Sequence, residues 1–222
     1  MPIDFTQYFK KYEALVETAE RAFEKVASEY SDCVKCKIGC SDCCYALFDI
    51  SLVEALYINH HFLNDLDQNT REDLVERADN ADRLIYRIKR KAYKAAAGGK
   101  QEADVLSAMT SERVQCPLLN RDKKCDLYNY RPITCRLYGI PTAISGTGHT
   151  CGISGFEQGR AYPTVHIDIF YRKLYEMSLE IVAAIRSRHV KMADMLVPVS
   201  MALITDYNEE YLGIGDGEEN IE

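Results

Sequence analysis

The sequence contains no tryptophan, and its 222 residues include only six prolines. It has no apolar run long enough to cross a membrane, so no membrane-spanning helix is expected. The opening stretch, MPIDFTQYFKKYEALVETAERAF, mixes charges of both signs and lacks a basic segment followed by an apolar one. No signal peptide is therefore expected, and the reading places the protein in the cytoplasm. Alternation at period two is missing throughout, which argues against extended strands. An excess of base is missing too: 27 Lys and Arg stand against 34 Asp and Glu. Seven acids within residues 206–222, with no base among them, account for the whole net charge of −7. The neutral body offers no electropositive face for nucleic acid. No nucleophile–base pair, paired carboxylates or phosphate-binding loop is recognisable either, so the chain names no substrate.

What the sequence has in abundance is cysteine. Five of the twelve residues in CVKCKIGCSDCC, 33 to 44, are cysteine, and the chain holds nine. A chain of this length can bury a core without covalent staples. Disulfide frameworks belong to small secreted domains, and an odd count would leave one thiol over. In a reducing compartment, thiols this closely spaced point to metal. The bland alternative is that they are small buried hydrophobes. Five in twelve residues, among Lys35, Lys37, Ser41 and Asp42, are poorly explained that way.

Helical periodicity dominates the rest. Phe5, Tyr8, Phe9, Tyr12, Leu15, Val16, Ala19, Phe23, Val26 and Tyr30 recur at three and four, predicting one long helix over the first 30 residues. Asp4 with Gln7, Ser51 with Glu54, and Thr70 with Asp73 suggest capping boxes for three helices. The second runs to about residue 62, and the third stops at Gly98-Gly99. A shorter helix is expected over 102–112. Ile167, Tyr171, Leu174, Ser178, Ile181, Val182 and Ile185 mark another, and a short one follows Pro198. Residues 116–160 read as loop. The expected fold is all-α: one bundle-like helical domain over 1–205, with a cysteine site built from 33–44 and 116–151. Residues 206–222 read as a solvated, frayed acidic tail.

A thiolate is a soft ligand suited to zinc and to iron–sulfur clusters, and a Cys-x-x-Cys turn lets two sulfurs converge on one metal. Cys33-x2-Cys36 and Cys40-x2-Cys43 are two such turns. Cys43 and Cys44 are adjacent, and neighbouring side chains tend to diverge. One would ligate while the other packs, or each would face a different metal. Cys116, Cys125 and Cys135 are too far apart for one local knuckle. Their roles would be completed from the first run, stitching two distant segments together. Cys151 is a weaker candidate.

These motifs resemble the CxxCxxCC family, the YkgJ-like cysteine-cluster proteins described as zinc- or iron-chelating. The resemblance rests on Cys40-x2-Cys43-Cys44, Cys116-Pro-Leu-Leu, Cys125-Asp-Leu-Tyr128, Arg131-Pro132-x2-Cys135-Arg136 and a trailing Cys151, and it covers roughly residues 33 to 151. The family usually reads Cys-x2-Cys-x2-Cys-Cys. Here Lys37 stands three before Cys40 and Cys36 four before, so Cys36 and Cys33 both remain open for the first position. More distantly the chain resembles the flagellin lysine N-methylases, whose metal is regarded as a [4Fe-4S] cluster. The resemblance implies a metal set drawn from Cys36, Cys40, Cys43, Cys44, Cys116, Cys125, Cys135 and Cys151.

Arg131 and Arg136 flank Cys135 and would offset the charge of a four-thiolate cluster as cofactor-binding residues. The alternative is a turn fixed by Pro132 with two solvated arginines. Tyr128 and Tyr130 read as packing around the site. His149, two before Cys151, and the pair His60-His61 are weaker ligand candidates. Arg83 to Lys94 reads as a solvated basic helix face. GIGDG, 213 to 217, has the glycine spacing of a methyl-donor loop but lacks the flanking strand and helix that loop needs. Two functions stay open. One is an iron–sulfur protein with a redox or protein-modification role towards an unidentified protein partner or substrate. The other is a zinc-held structural or partner-binding module without catalysis.

Overall fold

The computed structural model describes residues 4–37 and 39–215. It is a mostly helical domain, 56% helix, with seven α-helices and two small sheets among the described residues. The all-α expectation is corrected by five strands of two or three residues each. They are too short to leave a period-two signature, which needs four residues or more.

Helix α1 (Thr6–Glu29) buries Tyr8, Phe9, Tyr12, Leu15, Val16, Ala19 and Val26 along the expected stripe. Its N-cap is Phe5 and no capping box forms. Asp4 instead accepts from the Thr6 amide at 2.9 Å. Helix α2 (Leu52–Asp65) opens on the Ser51–Glu54 capping box. It is buried almost all round: every residue from Leu52 to Asn59 is inside. Such a helix must lie in the middle of a fold. Helix α3 (Gln68–Ala97) starts one turn earlier than expected. Asp67, and not Thr70, is its N-cap, accepting from the Thr70 amide at 3.0 Å. It ends at Gly98–Gly99. Helices α4 (Glu102–Thr110), α5 (Ile133–Leu137), α6 (Ile167–Ala184) and α7 (Val199–Ile204) complete the set. On α6, Phe170 is buried, while Tyr171, placed on the stripe by spacing, is 38% exposed.

One face of α2 packs with α1, α5 and α6 into the larger core; the other packs with α3 and α7 into a second. Strand β1 (Asp49–Ser51) enters α2 and pairs antiparallel with β5 (Leu196–Pro198), which enters α7. Strand β2 (Thr142–Ile144) pairs antiparallel with β3 (Thr147–His149) and parallel with β4 (Val165–His166). Among the described residues, no helix is long and apolar enough to cross a membrane.

The expected frayed tail is also corrected. Its described part, 206–215, turns back onto the body, and Leu212 is fully buried in the larger core. The Leu212 carbonyl accepts from Ser187 Oγ at 2.6 Å, and the Gly213 carbonyl from the Arg188 amide at 3.0 Å. The acids there stay outside while apolar residues between them dock; residue charge concealed a packing element. The remainder of the tail, 216–222, lies outside the described residues, as does the second half of GIGDG. No strand leads directly into Gly213 among the described residues; the last element before it is α7.

Candidate metal centre

The cysteines sit on irregular backbone between the helices. Cys33, Cys36 and Cys40 follow α1, and Cys43 and Cys44 lie in a 3-10 turn, Asp42–Tyr45. The Cys44 carbonyl accepts from the Cys116 amide at 2.6 Å, and the Tyr45 carbonyl from the Val114 amide at 3.2 Å. A bridge between Ala46 and Arg113 extends this pairing. Backbone hydrogen bonds therefore join residues 44–46 to 113–116, segments about seventy residues apart in sequence. Cys116 and Cys125 are the two ends of a tight loop. It is closed by a Leu119–Cys125 bridge and by the Asn120 amide donating to the Lys124 carbonyl at 2.9 Å, while the Asn120 carbonyl accepts from the Lys123 amide at 3.1 Å. Cys135 rides on α5, and Cys151 follows β3.

Eight of the nine cysteines line one cavity of about 880 Å³: Cys36, Cys40, Cys43, Cys44, Cys116, Cys125, Cys135 and Cys151. These are the eight metal candidates of the sequence. Cys33 is not among the lining residues; it packs against the larger core, and its carbonyl accepts from the Gly155 amide at 2.8 Å. Between Cys36 and Cys33, only Cys36 reaches the cavity. Among the described residues, no three Cys, His, Asp or Glu side chains stand at the spacing that would hold a single ion. The thiols surround a volume and do not converge on a point.

Burial and mutual repulsion raise Cys43, Cys116, Cys125 and Cys135. Cys135 is pushed well above the ordinary value by burial, and then by Cys43, Cys116 and Cys125. Burial, with Cys125 and Cys43 nearby, pushes Cys116 up to about 12. Cys125 rises to about 11, again chiefly through burial. Cys43 is raised well above the ordinary value, most by its neighbour Cys44 and then by burial.

Both arginines line the cavity, with different partners. Arg131 lines the cavity, and its charge works against the rise at Cys43, Cys125 and Cys135. Its guanidinium lies 4.0 Å from the centroid of the Tyr128 ring. Arg136 is 5% exposed and is committed to protein oxygens. It pairs with Glu20 and donates to the Asn129 carbonyl and, at 2.9 Å, to the Arg131 carbonyl. Those bonds hold the chain around Cys135. Tyr130 packs, as expected, stacked on His61 at 3.5 Å. His61 bonds Asp65 at 2.7 Å, and neither His60, His61 nor His149 lines the cavity.

Three positioning residues escaped the sequence reading. Glu54, fully buried, accepts from the Ile133 amide at 3.0 Å and so fixes the start of α5. Its capping box was visible, but its reach to residue 133 had no local signal. Arg77 on α3 clasps the Cys116–Cys125 loop, pairing with Asp126 at 2.6 Å and donating to the Leu119 carbonyl at 3.0 Å. Asp42 is held by Arg113 at 2.5 Å and accepts from Tyr138 Oη at 3.1 Å. Its place beside Cys43 was the available hint.

The fold and site thus define a mostly helical domain built around a thiol-lined cavity. No family model, curated protein or solved structure matches the chain.

Proposed function

We propose that this chain is a cytoplasmic iron–sulfur protein of the CxxCxxCC type, in which an inner group of thiols holds one [4Fe-4S] cluster. The observation that carries the reading is the single cavity lined by eight cysteines from segments far apart in sequence. Within it, Cys43, Cys116, Cys125 and Cys135 are one another's neighbours. They supply the four soft donors that such a cluster takes. Cys44, next to Cys43 in the chain, would be a spare thiol.

The donor set would satisfy zinc as well, but a single ion needs its sulfurs gathered at about 2.3 Å from one point. Thiols spread around a volume support the polynuclear group. A bound cluster supplies one-electron transfer, which suits a redox or protein-modification role. The chain's own part is to exclude water with Leu118, Leu119 and Val114 and to place Arg131 against the anionic charge.

Protein purified without oxygen should be brown and contain iron and inorganic sulfide in equal amounts. Stoichiometric zinc with no sulfide, in protein never exposed to air or chelator, would overturn the cluster. The chain would then be a zinc-held binding module.

A further inference from the structure

The cavity has a second kind of lining besides thiols. Lys37, Lys123 and Lys124 stand on its rim, all exposed, and none has a carboxylate partner among the described residues. The carboxylates that line it are Glu20 and Glu24 on α1, and Glu20 is taken up by Arg136, with Arg131 at 3.9 Å. Against three lysines only Glu24 is unengaged. Nor do the lysines serve the thiols: the cations acting most on Cys43, Cys116, Cys125 and Cys135 are Arg131 and Arg77.

Two of these lysines are held in place by the loop that carries them. Asn120 Oδ1 accepts from the Asp122 and Lys124 amides, both at 3.0 Å, and its Nδ2 donates to Asp126 Oδ1 at 2.7 Å. The turn so fixed puts Lys123 at a φ of +58°, a left-handed conformation that a lysine rarely adopts. The other non-glycine residues with positive φ, Ser145 and Arg186, do not line the cavity. Backbone strain of this kind persists where the surroundings enforce it, and it collects at binding sites. Arg77 clasps the same loop to α3. Eight residues on, about 12 Å along the helix, Ile85 packs with Leu47 and Val114 into a small apolar cluster whose three members all line the cavity. The cavity, at about 880 Å³, falls in the range of small-molecule sites, roughly 300–1,000 Å³.

We infer that the cavity is also the binding site of a small organic anion, its oxyanion head held at the rim by Lys37, Lys123 and Lys124 and its apolar body laid against Leu47, Ile85 and Val114. Lysine suits the head because an ammonium binds carboxylate or phosphate as a point charge, without the fixed fork of arginine. The apolar wall suits the body because hydrocarbon gains by leaving water, and a few placed charges on a mainly apolar lining are what orient a small ligand. The inference deepens the iron–sulfur reading by naming a substrate class. It rests on that reading for what the bound molecule would meet, and on the lysines and the apolar wall for its binding.

The test is titration calorimetry of the full chain, purified without oxygen, with four probes: hexanoate, hexyl phosphate, hexanol and inorganic phosphate. At least one of the two charged hexyl probes should saturate a single site per chain, and the tighter of them names the head. Hexanol lacks the head and inorganic phosphate lacks the body, so each should bind about tenfold more weakly or not at all. The variant Lys37→Gln/Lys123→Gly/Lys124→Gln should lose about tenfold in affinity for the charged probe. Its melting temperature and its iron and sulfide should stay at wild-type values, since the three side chains are exposed and glycine suits a positive φ. Leu47→Ala should weaken the hexyl probes and leave inorganic phosphate unchanged. Wild-type affinity in the triple lysine variant would overturn the site, and so would hexanol binding as tightly as the charged probes. Brown protein in which no probe binds would overturn the site and leave the cluster standing. Colourless, sulfide-free protein that still binds a charged probe through the lysines would sink the cluster and uphold the site.

Discussion

Cys33 and Cys36 look equivalent in the sequence, as the two ends of one Cys-x-x-Cys turn, yet only Cys36 reaches the cavity. Cys33→Ala should therefore leave the metal content of anaerobically purified protein unchanged, whereas Cys135→Ala should lower both metal content and melting temperature. Equal loss in the two would show that Cys33 is a ligand. The raised thiols make a second expectation. An ordinary thiol titrates near 9, while in the metal-free fold Cys36 and Cys125 rise to about 11 and Cys116 to about 12. As pH climbs past 9, the unfolded chain releases protons that the folded chain keeps. The unfolded state then binds fewer protons, and stability falls with pH. A bound metal would reverse the sign: its ligands would already be deprotonated in the native state, so stability would rise with pH up to about 9 and be lost as pH falls. Thermal melts from pH 7 to 10 should thus drop for metal-free protein and not for loaded protein.

At the level of elements, the site depends on clasps between helices and loops. Arg77 projects from the middle of α3 to hold the loop that carries Cys116 and Cys125. Arg77→Met keeps much of the side chain's packing but removes the charge and leaves Asp126, 13% exposed, with Asn120 as its remaining side-chain partner. A charge-assisted hydrogen bond of this kind contributes about 1.5–3 kcal/mol. Urea unfolding of Arg77→Met should show a loss of that order, and chelator should strip its metal faster than from wild type. A variant with wild-type metal release would place the organisation of the loop elsewhere. Glu54 does the same for α5 through the Ile133 amide, a link across 79 residues. Both clasps join residues that share no local pattern.

Over the whole molecule, the chain end closes the larger core. Leu212 is fully buried among residues of that core, in a stretch whose acidity suggested a free tail. Leu212→Ala should cost about 2–5 kcal/mol, as deletion of a buried leucine generally does. A chain ending after Thr205 should lose more and melt well below wild type. Unchanged melting on truncation would return residues 206–215 to the status of a dispensable tail.

Helix positions were legible because their signals are local: a stripe at three and four along α1, a capping box at Ser51, paired glycines closing α3. The candidate ligands were legible because metal chemistry restricts residue type and because five thiols crowd into twelve residues. The short strands were not, since two or three residues carry no periodicity. Nor could spacing tell which way a thiol turns. The backbone pairing of 44–46 with 113–116 sets Cys116 beside Cys44. The sequence by itself determined the helices and the supply of soft donors. Only the tertiary structure decided which donors meet, because distance between residues remote in the chain is set by packing and by buried hydrogen bonds such as those of Glu54, Arg77 and Arg136.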